Sequence, residues 1–266
     1  MKSKASFYLQ LAFTLLLCVC IIIPIVLSAL AGITTNYFIG ISSGFTTQWL
    51  LQVWEMYSDS IFLSLKIAVG CVIVTLIIGV PAAYALFRLP NRFSSFIESL
   101  LMLPIAVPGL ATGLALILAY GSVSFLRSSW VFILIGHVIF TLPFMISPVL
   151  ALLRTGQLAS LEEAAASLGA PFWSRFFQIV VPNCVGGIIA GAMMVLTLSI
   201  GEFNITWMLQ TPFTKTLPVG LADSYASARL EIGSAYTLFF LLMIVPLLML
   251  IQWIGSKMHV QYKEGR

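Results

Sequence analysis

The sequence predicts an all-α membrane protein with six transmembrane helices. One observation is the composition, in which 60% of residues are hydrophobic and 8% are charged, whereas soluble domains usually carry about 25% charged residues. The other is a series of long apolar runs. A bilayer core about 30 Å thick requires about 20 residues of helix, and six stretches of this chain are long and apolar enough. We therefore expect lipid to be its main solvent.

The six helices are predicted at residues 8–31, 57–87, 96–121, 130–153, 183–209 and 236–256. The second is long enough to tilt or to extend beyond the lipid. The first follows Lys2 and Lys4 and ends in small residues, as a cleaved secretory signal also does. Signal peptides, however, contain only about 7–15 apolar residues. We interpret this longer run as a retained first helix.

The distribution of basic residues predicts the orientation, because Lys and Arg in short loops resist translocation. A cytoplasmic N-terminus leaves three basic residues on the outer side, Arg127, Lys215 and Arg229. The cytoplasmic side then receives Lys2, Lys4, Arg88, Arg92, Arg154, Arg175, Lys257, Lys263 and Arg266. Both termini and the segment at residues 162–182 are thus predicted to be cytoplasmic.

Several function classes are disfavoured by the same composition. The net charge of +4 does not predict nucleic-acid binding, because the basic residues are scattered singly and a phosphate backbone requires a clustered stripe. The four cysteines lie inside apolar runs without metal-ligand spacing, so we interpret them as apolar fillers. Clusters of Cys, His and carboxylate typical of a metal site are also missing from the sequence.

The polar segment at residues 162–182, here called the 162–182 loop, separates the fourth and fifth predicted helices. Glu162 and Glu163 are expected in the first turn of a short helix, where carboxylates complement the helix dipole. Gly169 is predicted to end that helix, and Pro171 to begin a second one with Phe172, Phe176 and Ile179 on one side. Alanines 164–166 form a narrow ridge that suits a groove in another protein. An ordinary amphipathic loop resting on lipid headgroups is the alternative.

The spacing within this loop resembles the EAA loop of ATP-binding cassette (ABC) importer permeases. Glu163-Ala164-Ala165 is followed after three residues by Gly169, after nine more by Ile179, and then by Val181-Pro182, where Leu usually precedes Pro. Residues 79–86 and 103–109 resemble the same permeases. The resemblance implies a type I ABC importer (MetI-like) permease fold in a bacterial inner membrane, and it is strongest to the second permease of spermidine/putrescine-like systems.

The resemblance also implies partners and a coupling site. Two cytoplasmic ATPase subunits, a second and non-identical permease, and a periplasmic solute-binding protein are expected. The chain has no Gly-x-x-x-x-Gly-Lys-Ser/Thr loop for phosphate, so ATP and Mg are expected on the partner ATPase, and no cofactor is expected on this chain. The residues implied in ATPase coupling are Glu162, Glu163, Ala164, Ala165, Gly169, Ile179 and Pro182.

Three polar residues are candidates for the translocation path or its gate. Charged side chains within a membrane helix cost several kcal/mol unless they face a cavity or a partner. Glu202 lies about 30 Å of helix from the start of the fifth span, and Lys66 lies about two turns into the second, so the two are predicted at similar depth. With Asn204 they would line the path or form an ion pair. Alternatively, Lys66 extends to the interface and Glu202 lies outside the hydrocarbon.

Helix breakers and small residues complete the pattern. Prolines inside the predicted helices permit kinks or half-helix breaks, at positions 24, 81, 104, 108, 143, 148 and 246. Gly109-x-x-x-Gly113 and Gly187-x-x-x-Gly191 allow close backbone approach. We expect packing within the subunit at both pairs, and a dimer seam as the second possibility.

Two other function classes and the cargo stay open at this point. A secondary transporter would show two matching halves, and none is found. An intramembrane hydrolase would use His137, but no Gly-x-Ser-x-Gly elbow accompanies it, so a hydrogen bond between packed helices is the favoured role. Glu202 on an outer path suits a cation such as a polyamine. Ferric iron, phosphonate and other small charged solutes are the alternatives.

Overall fold

The computed structural model describes residues 4–155 and 158–264, and these residues are almost entirely helical. The helices are α1 (Lys4–Ala31), α2 (Gln48–Arg88), α3 (Arg92–Leu101), α4 (Leu103–Ala106), α5 (Gly109–Tyr120), α6 (Ser124–Arg127), α7 (Trp130–Thr155), α8 (Leu158–Ser167), α9 (Phe172–Arg175), α10 (Val181–Asn183), α11 (Val185–Gly201), α12 (Asn204–Leu209), α13 (Leu217–Ala226) and α14 (Leu230–Glu264). A 3₁₀ turn covers Gly40–Ser43 and a π-helical turn covers Phe176–Val180. Within the described residues no strand forms beyond an isolated bridge between Thr34 and Phe45, which confirms the all-α prediction.

Four helices (α1, α2, α7 and α14) are long and apolar enough to cross a membrane, and the number rises to six if each of two bent pairs counts as one crossing. The first pair joins Arg92–Ala106 to Gly109–Tyr120 with a bend of 106°. The predicted helix at 96–121 is therefore not continuous. Val107 is extended (φ −86°, ψ 129°) before Pro108, as expected because a proline disfavours helical geometry in the residue before it.

The predicted helix at 183–209 is also divided. Phe172–Asn183 meets Val185–Gly201 at an angle of 71°. At the other end α11 stops at Gly201, Glu202 is extended (φ −71°, ψ 121°), and the short helix α12 follows. The predicted second helix, 57–87, lies inside α2, which begins nine residues earlier at Gln48.

The chain forms two compact units, and the first comprises Met1–Asp59 and Gly220–Leu242. Within it the backbone of Gly32 approaches that of Ser234 so closely that a Cβ at Gly32 would lie 2.7 Å from the Ser234 carbonyl carbon. The indole N–H of Trp49 donates to the Thr34 carbonyl (2.9 Å). The first contact holds the segment after α1 against the start of α14, and the second holds it against the start of α2.

The second unit comprises Ser60–Val219 and Met243–Arg266, and glycines set its closest helix contacts. A Cβ at Gly187 would lie 2.7 Å from the Pro148 carbonyl oxygen, so α11 touches α7 through backbone. A Cβ at Gly113 would lie 2.7 Å from Met208 Cβ, which places α5 directly against α12. The prediction that both glycine pairs serve packing within the subunit is confirmed.

Candidate functional site

The 162–182 loop begins with a helix that ends in a defined turn. Gly169 has a positive φ of 83°, a conformation that glycine adopts without the cost a Cβ imposes. The Ala170 N–H donates to the Ala165 carbonyl (3.0 Å) and the Gly169 N–H to the Ala166 carbonyl (2.9 Å). This is the Schellman pattern of a helix C-terminus. The prediction that Gly169 ends the helix is confirmed.

The two carboxylates of this helix have different environments, which the sequence did not reveal. Helix α8 begins at Leu158 and has no acidic residue in its first turn, so the expected position of Glu162 and Glu163 beside the helix N-terminus was wrong. The Glu162 side chain is 0% exposed, whereas Glu163 lies on the exposed face. The structure therefore separates a buried carboxylate from an available one.

Glu162 is held by three side chains from two other segments. Tyr84 on α2 donates its hydroxyl to Glu162 Oε1. Arg175 on α9 donates from Nη1 to the same oxygen at 3.3 Å, and Arg88 Nη1 lies 3.6 Å from Oε2. A buried carboxylate is tolerated only when hydrogen bonds and opposite charge replace its water. Glu162 thus fastens the loop to α2 and is not available for contact with a partner protein.

The opposite face of α8 is exposed and mostly apolar. Glu163, Ala164 and Ala166 are exposed, and Ala165 is half-buried. Leu168, the last residue before the glycine, is 89% exposed. An isolated leucine on a surface needs no explanation, but this one continues the alanine ridge at the tip of the helix. Sequence reasoning missed it because its exposure follows from the turn at Gly169.

The return half of the loop runs through α9, the π-helical turn and α10. Pro171 is the N-cap residue of α9, and Pro182 lies in the first turn of α10. Of the predicted apolar face, Phe176 is buried, Ile179 is half-buried and Phe172 is exposed. Phe172 precedes the π-helical turn and its ring stacks on that of Phe176, so these two side chains lie on one side as predicted although Phe172 is at the exposed edge.

The path candidates Lys66 and Glu202 are not brought together. Lys66 is exposed, and its Nζ lies 3.9 Å from the ring centroid of Trp130. Glu202 is buried and accepts from the Ile205 and Thr206 N–H groups, both at 2.9 Å. In the described part of the chain the two charges form no ion pair within 4.0 Å.

Glu202 instead caps a helix. Its carboxylate accepts from two backbone N–H groups that have no partner within α12, and the negative charge lies at the positive end of the helix dipole. Asn204, the first residue of α12, is exposed. A Cβ at Gly109 would lie 2.9 Å from Asn204 Cβ and 3.4 Å from Glu202 Oε1, so α5 closes over this cap.

His137 on α7 connects to the same cap. Its Nδ1 lies 2.8 Å from Ser199 Oγ and its Nε2 lies 2.8 Å from Thr206 Oγ1, with Glu202 Oε2 at 3.6 Å. A serine beside a histidine is also the geometry of a hydrolase, but His137 is 1% and Ser199 4% exposed, which denies a substrate access to the hydroxyl. These contacts describe a polar link between packed helices. The sequence identified His137 but not its partners, which lie 62 and 69 residues away.

Several long apolar helices, two bent helix pairs and a polar loop folded against them define a multi-pass membrane protein. Residues 75–260 match the family described as binding-protein-dependent transport system inner membrane component. The chain belongs to this family. Its members are transport permease subunits and not enzymes.

Curated relatives are permeases of different transport systems. The chain is 27% identical over 233 residues, covering 85% of this chain and 83% of the relative, to PhnV of Salmonella choleraesuis, named as a 2-aminoethylphosphonate transport system permease protein. It is 24% identical over 217 residues (76% and 81%) to the molybdenum transport system permease protein ModB of Mycobacterium bovis. It is 28% identical over 192 residues (66% and 83%) to ModB of Escherichia coli K12. The names of these relatives do not point to the spermidine/putrescine group, which the sequence was found to resemble most.

Proposed function

We propose that this chain is the membrane-spanning permease subunit of a bacterial ABC importer, and that a separate ATPase drives it through the 162–182 loop. The family match supports the permease role. The observation that carries the coupling role is the division of α8 into two faces. One face is fastened to α2 through Glu162, and the other presents Glu163, the alanines and Leu168 outward.

The loop has the connections that a mechanical link requires. A displacement applied to the exposed face of α8 reaches α2 through the Glu162 carboxylate and its Tyr84 and Arg88 partners. It reaches α11 through Arg175 and the short helices α9 and α10. Buried, hydrogen-bonded contacts transmit such movement because packed interiors are not easily compressed. Alternating access then follows from the movement of α2 and α11.

The remaining partners and the topology are part of the same proposal. Two ATPase subunits that bind ATP and Mg lie at the cytoplasmic face. The distribution of Lys and Arg predicts that the loop and both chain termini lie on this side. A second, non-identical permease completes the path across the inner membrane, and a periplasmic solute-binding protein delivers the solute. Lys66 and Asn204 are kept in the proposal as path residues, since both are polar and exposed, while Glu202 supports the N-terminus of α12.

For the cargo we favour a small oxyanion of the phosphonate or molybdate kind. Relatives with these names match most of the chain. The expectation of a polyamine came from the resemblance to spermidine/putrescine-like permeases and from Glu202. That carboxylate is buried and accepts from the Ile205 and Thr206 N–H groups. Cells that express the complete transporter are tested for uptake of radiolabelled 2-aminoethylphosphonate, molybdate and spermidine. Uptake of spermidine alone would contradict the choice of an oxyanion.

The coupling role is tested in proteoliposomes that contain the chain with its ATPase, second permease and binding protein. Glu163→Gln should lower ATP-driven uptake while membrane insertion and chain stability are kept. Gly169→Val should also lower uptake while membrane insertion is kept. Glu55→Gln is the charge-matched control, since Glu55 is also exposed but lies on α2 outside the loop. Full coupled uptake by both loop variants would contradict the proposal. Uptake that follows an ion gradient without ATP would indicate a secondary transporter.

A further inference from the structure

A cavity of about 360 Å³ lies between the end of α2 and the start of the return half of the 162–182 loop. Its volume falls within the range of about 300–1,000 Å³ usual for small-ligand sites. The wall consists of Pro81, Tyr84, Ala85, Arg88, Leu89, Phe172, Trp173, Arg175 and Phe176. We refer to it as the Arg88 pocket.

The pocket carries an excess of positive charge. Arg88 and Arg175 both line it, and both face the same carboxylate, Glu162. Two cations against one anion leave one positive charge without compensation at this wall. In the same cluster the buried Arg175 Nε–H and Glu162 Oε2 have no hydrogen-bond partner, so the contacts among these three side chains are incomplete. An anion in the pocket would supply the missing negative charge.

The other walls of the pocket are apolar and aromatic. Phe172 and Phe176 stack with ring centroids 6.2 Å apart, and the Trp173 side chain beside them is 66% exposed. Trp and Tyr side chains are enriched at the level of the lipid headgroups. Arg88 lies in the last turn of α2, at the end of a helix long enough to cross the membrane. A ligand here would meet a cationic site next to an apolar one.

From this combination we infer that the Arg88 pocket binds an anionic phospholipid of the cytoplasmic leaflet, with the phosphodiester on Arg88 and Arg175 and the acyl region against Phe172 and Trp173. Basic pockets beside membrane helices on the cytoplasmic side are suited to anionic headgroups. The inference depends on the proposed function for its cytoplasmic location. The bound lipid would lie against the same Glu162 contacts that fasten the loop to α2.

Lipid binding is measured on the full chain in detergent micelles, with brominated phosphatidylglycerol or brominated phosphatidylcholine as quencher of tryptophan fluorescence. The difference between the unmodified chain and Trp173→Phe isolates the signal of the pocket. Phosphatidylglycerol should quench this signal at lower concentration than phosphatidylcholine. Arg88→Gln should weaken the phosphatidylglycerol affinity about fivefold, since each basic residue contributes about that factor to anionic lipid binding.

Two further variants test whether a weaker affinity of Arg88→Gln comes from the pocket or from a folding defect. Arg92→Gln removes the same charge from α3, outside the pocket wall, and should leave the affinity unchanged. Leu89→Glu introduces a negative charge into the pocket without touching the Glu162 contacts, and it should weaken phosphatidylglycerol but not phosphatidylcholine.

Three results would overturn the lipid site. Equal quenching by the two lipids would remove the selectivity, and complete displacement by inorganic phosphate would indicate a site for the free ion. Displacement by the purified ATPase subunit would show that the pocket belongs to that interface. The first two results leave the proposed coupling role standing, because that role is judged by ATP-driven uptake of Glu163→Gln.

Discussion

The hydroxyl of Tyr84 donates a hydrogen bond to the buried carboxylate of Glu162, which lies 78 residues further along the chain. This bond and the nearby Arg88 guanidinium join the 162–182 loop to α2, and Arg175 connects Glu162 to the return half of the same loop. The adjacent Glu163 has no such surroundings and is exposed. Two neighbouring carboxylates thus have separate roles, one that stabilises the loop and one that is available to a partner.

The first prediction compares these two carboxylates. Glu162→Ala should destabilise the protein by about 3–5 kcal/mol, because it leaves the partly buried Arg175 without its counter-charge. Glu163→Ala should change stability by less than about 0.5 kcal/mol, as is usual for exposed positions. Thermal unfolding of the purified chain in detergent measures both. Equal losses for the two variants would contradict the assigned roles.

The second prediction concerns the turn at Gly169. A Cβ at this position would meet nothing within 4 Å, so only the positive φ of 83° opposes a side chain. Gly169→Asn should therefore be mild, because asparagine tolerates this conformation, and Gly169→Val should cost about 1–2 kcal/mol or more. Thermal unfolding and ATP-driven uptake should follow the same order. A valine variant as stable as the asparagine variant would show that the turn relaxes without cost.

A third prediction tests the contact between α7 and α11. Gly187→Ala places a Cβ 2.7 Å from the Pro148 carbonyl oxygen, which is backbone and cannot rotate away. We expect a loss of about 1–3 kcal/mol. Gly201→Ala is the control, since its Cβ would meet nothing within 4 Å and φ is not in the positive region. The unfolding midpoint should fall for the first variant alone.

The fourth prediction is that Lys66 and Glu202 act independently. Lys66→Met removes a cation–π contact with Trp130, and Glu202→Gln weakens the cap of α12. Because the two side chains form no ion pair, the double variant should equal the sum of the singles within about 0.5 kcal/mol. The double-mutant cycle is measured on unfolding free energy. A coupling energy clearly above that value would restore the ion pair inferred from depth.

The sequence predicted local features of this protein better than distant ones. The end of α8 at Gly169 was predictable because the glycine and the helix-forming residues before it are adjacent. The break at Pro108 was not predictable, although the proline was noted. Other prolines lie inside α7 and α14 without ending those helices. Lys66 and Glu202 were placed at similar depth by counting residues. Depth does not show which way each side chain points around its helix, and that direction decides whether two charges meet.

The partners of Glu162 could not be predicted for a related reason. Tyr84 and Arg88 lie one turn apart on α2, where a tyrosine and an arginine near a helix end are typical of any membrane interface. Nothing in their spacing points to a carboxylate in the 162–182 loop. The helix-packing glycines were easier to predict, because small residues four positions apart in a membrane helix usually mark a close helix contact.

The fastening of Glu162 to α2 has a consequence for building chimaeric transporters. The 162–182 loop cannot be exchanged alone between permeases, because its buried carboxylate requires the hydroxyl and guanidinium that α2 supplies at Tyr84 and Arg88. A transplanted loop would keep the Arg175 contact but would lose the hydroxyl and the second guanidinium on any recipient helix that lacks them. The unit of exchange is the loop together with the last two turns of α2, two segments that are distant in sequence and joined by these side-chain contacts.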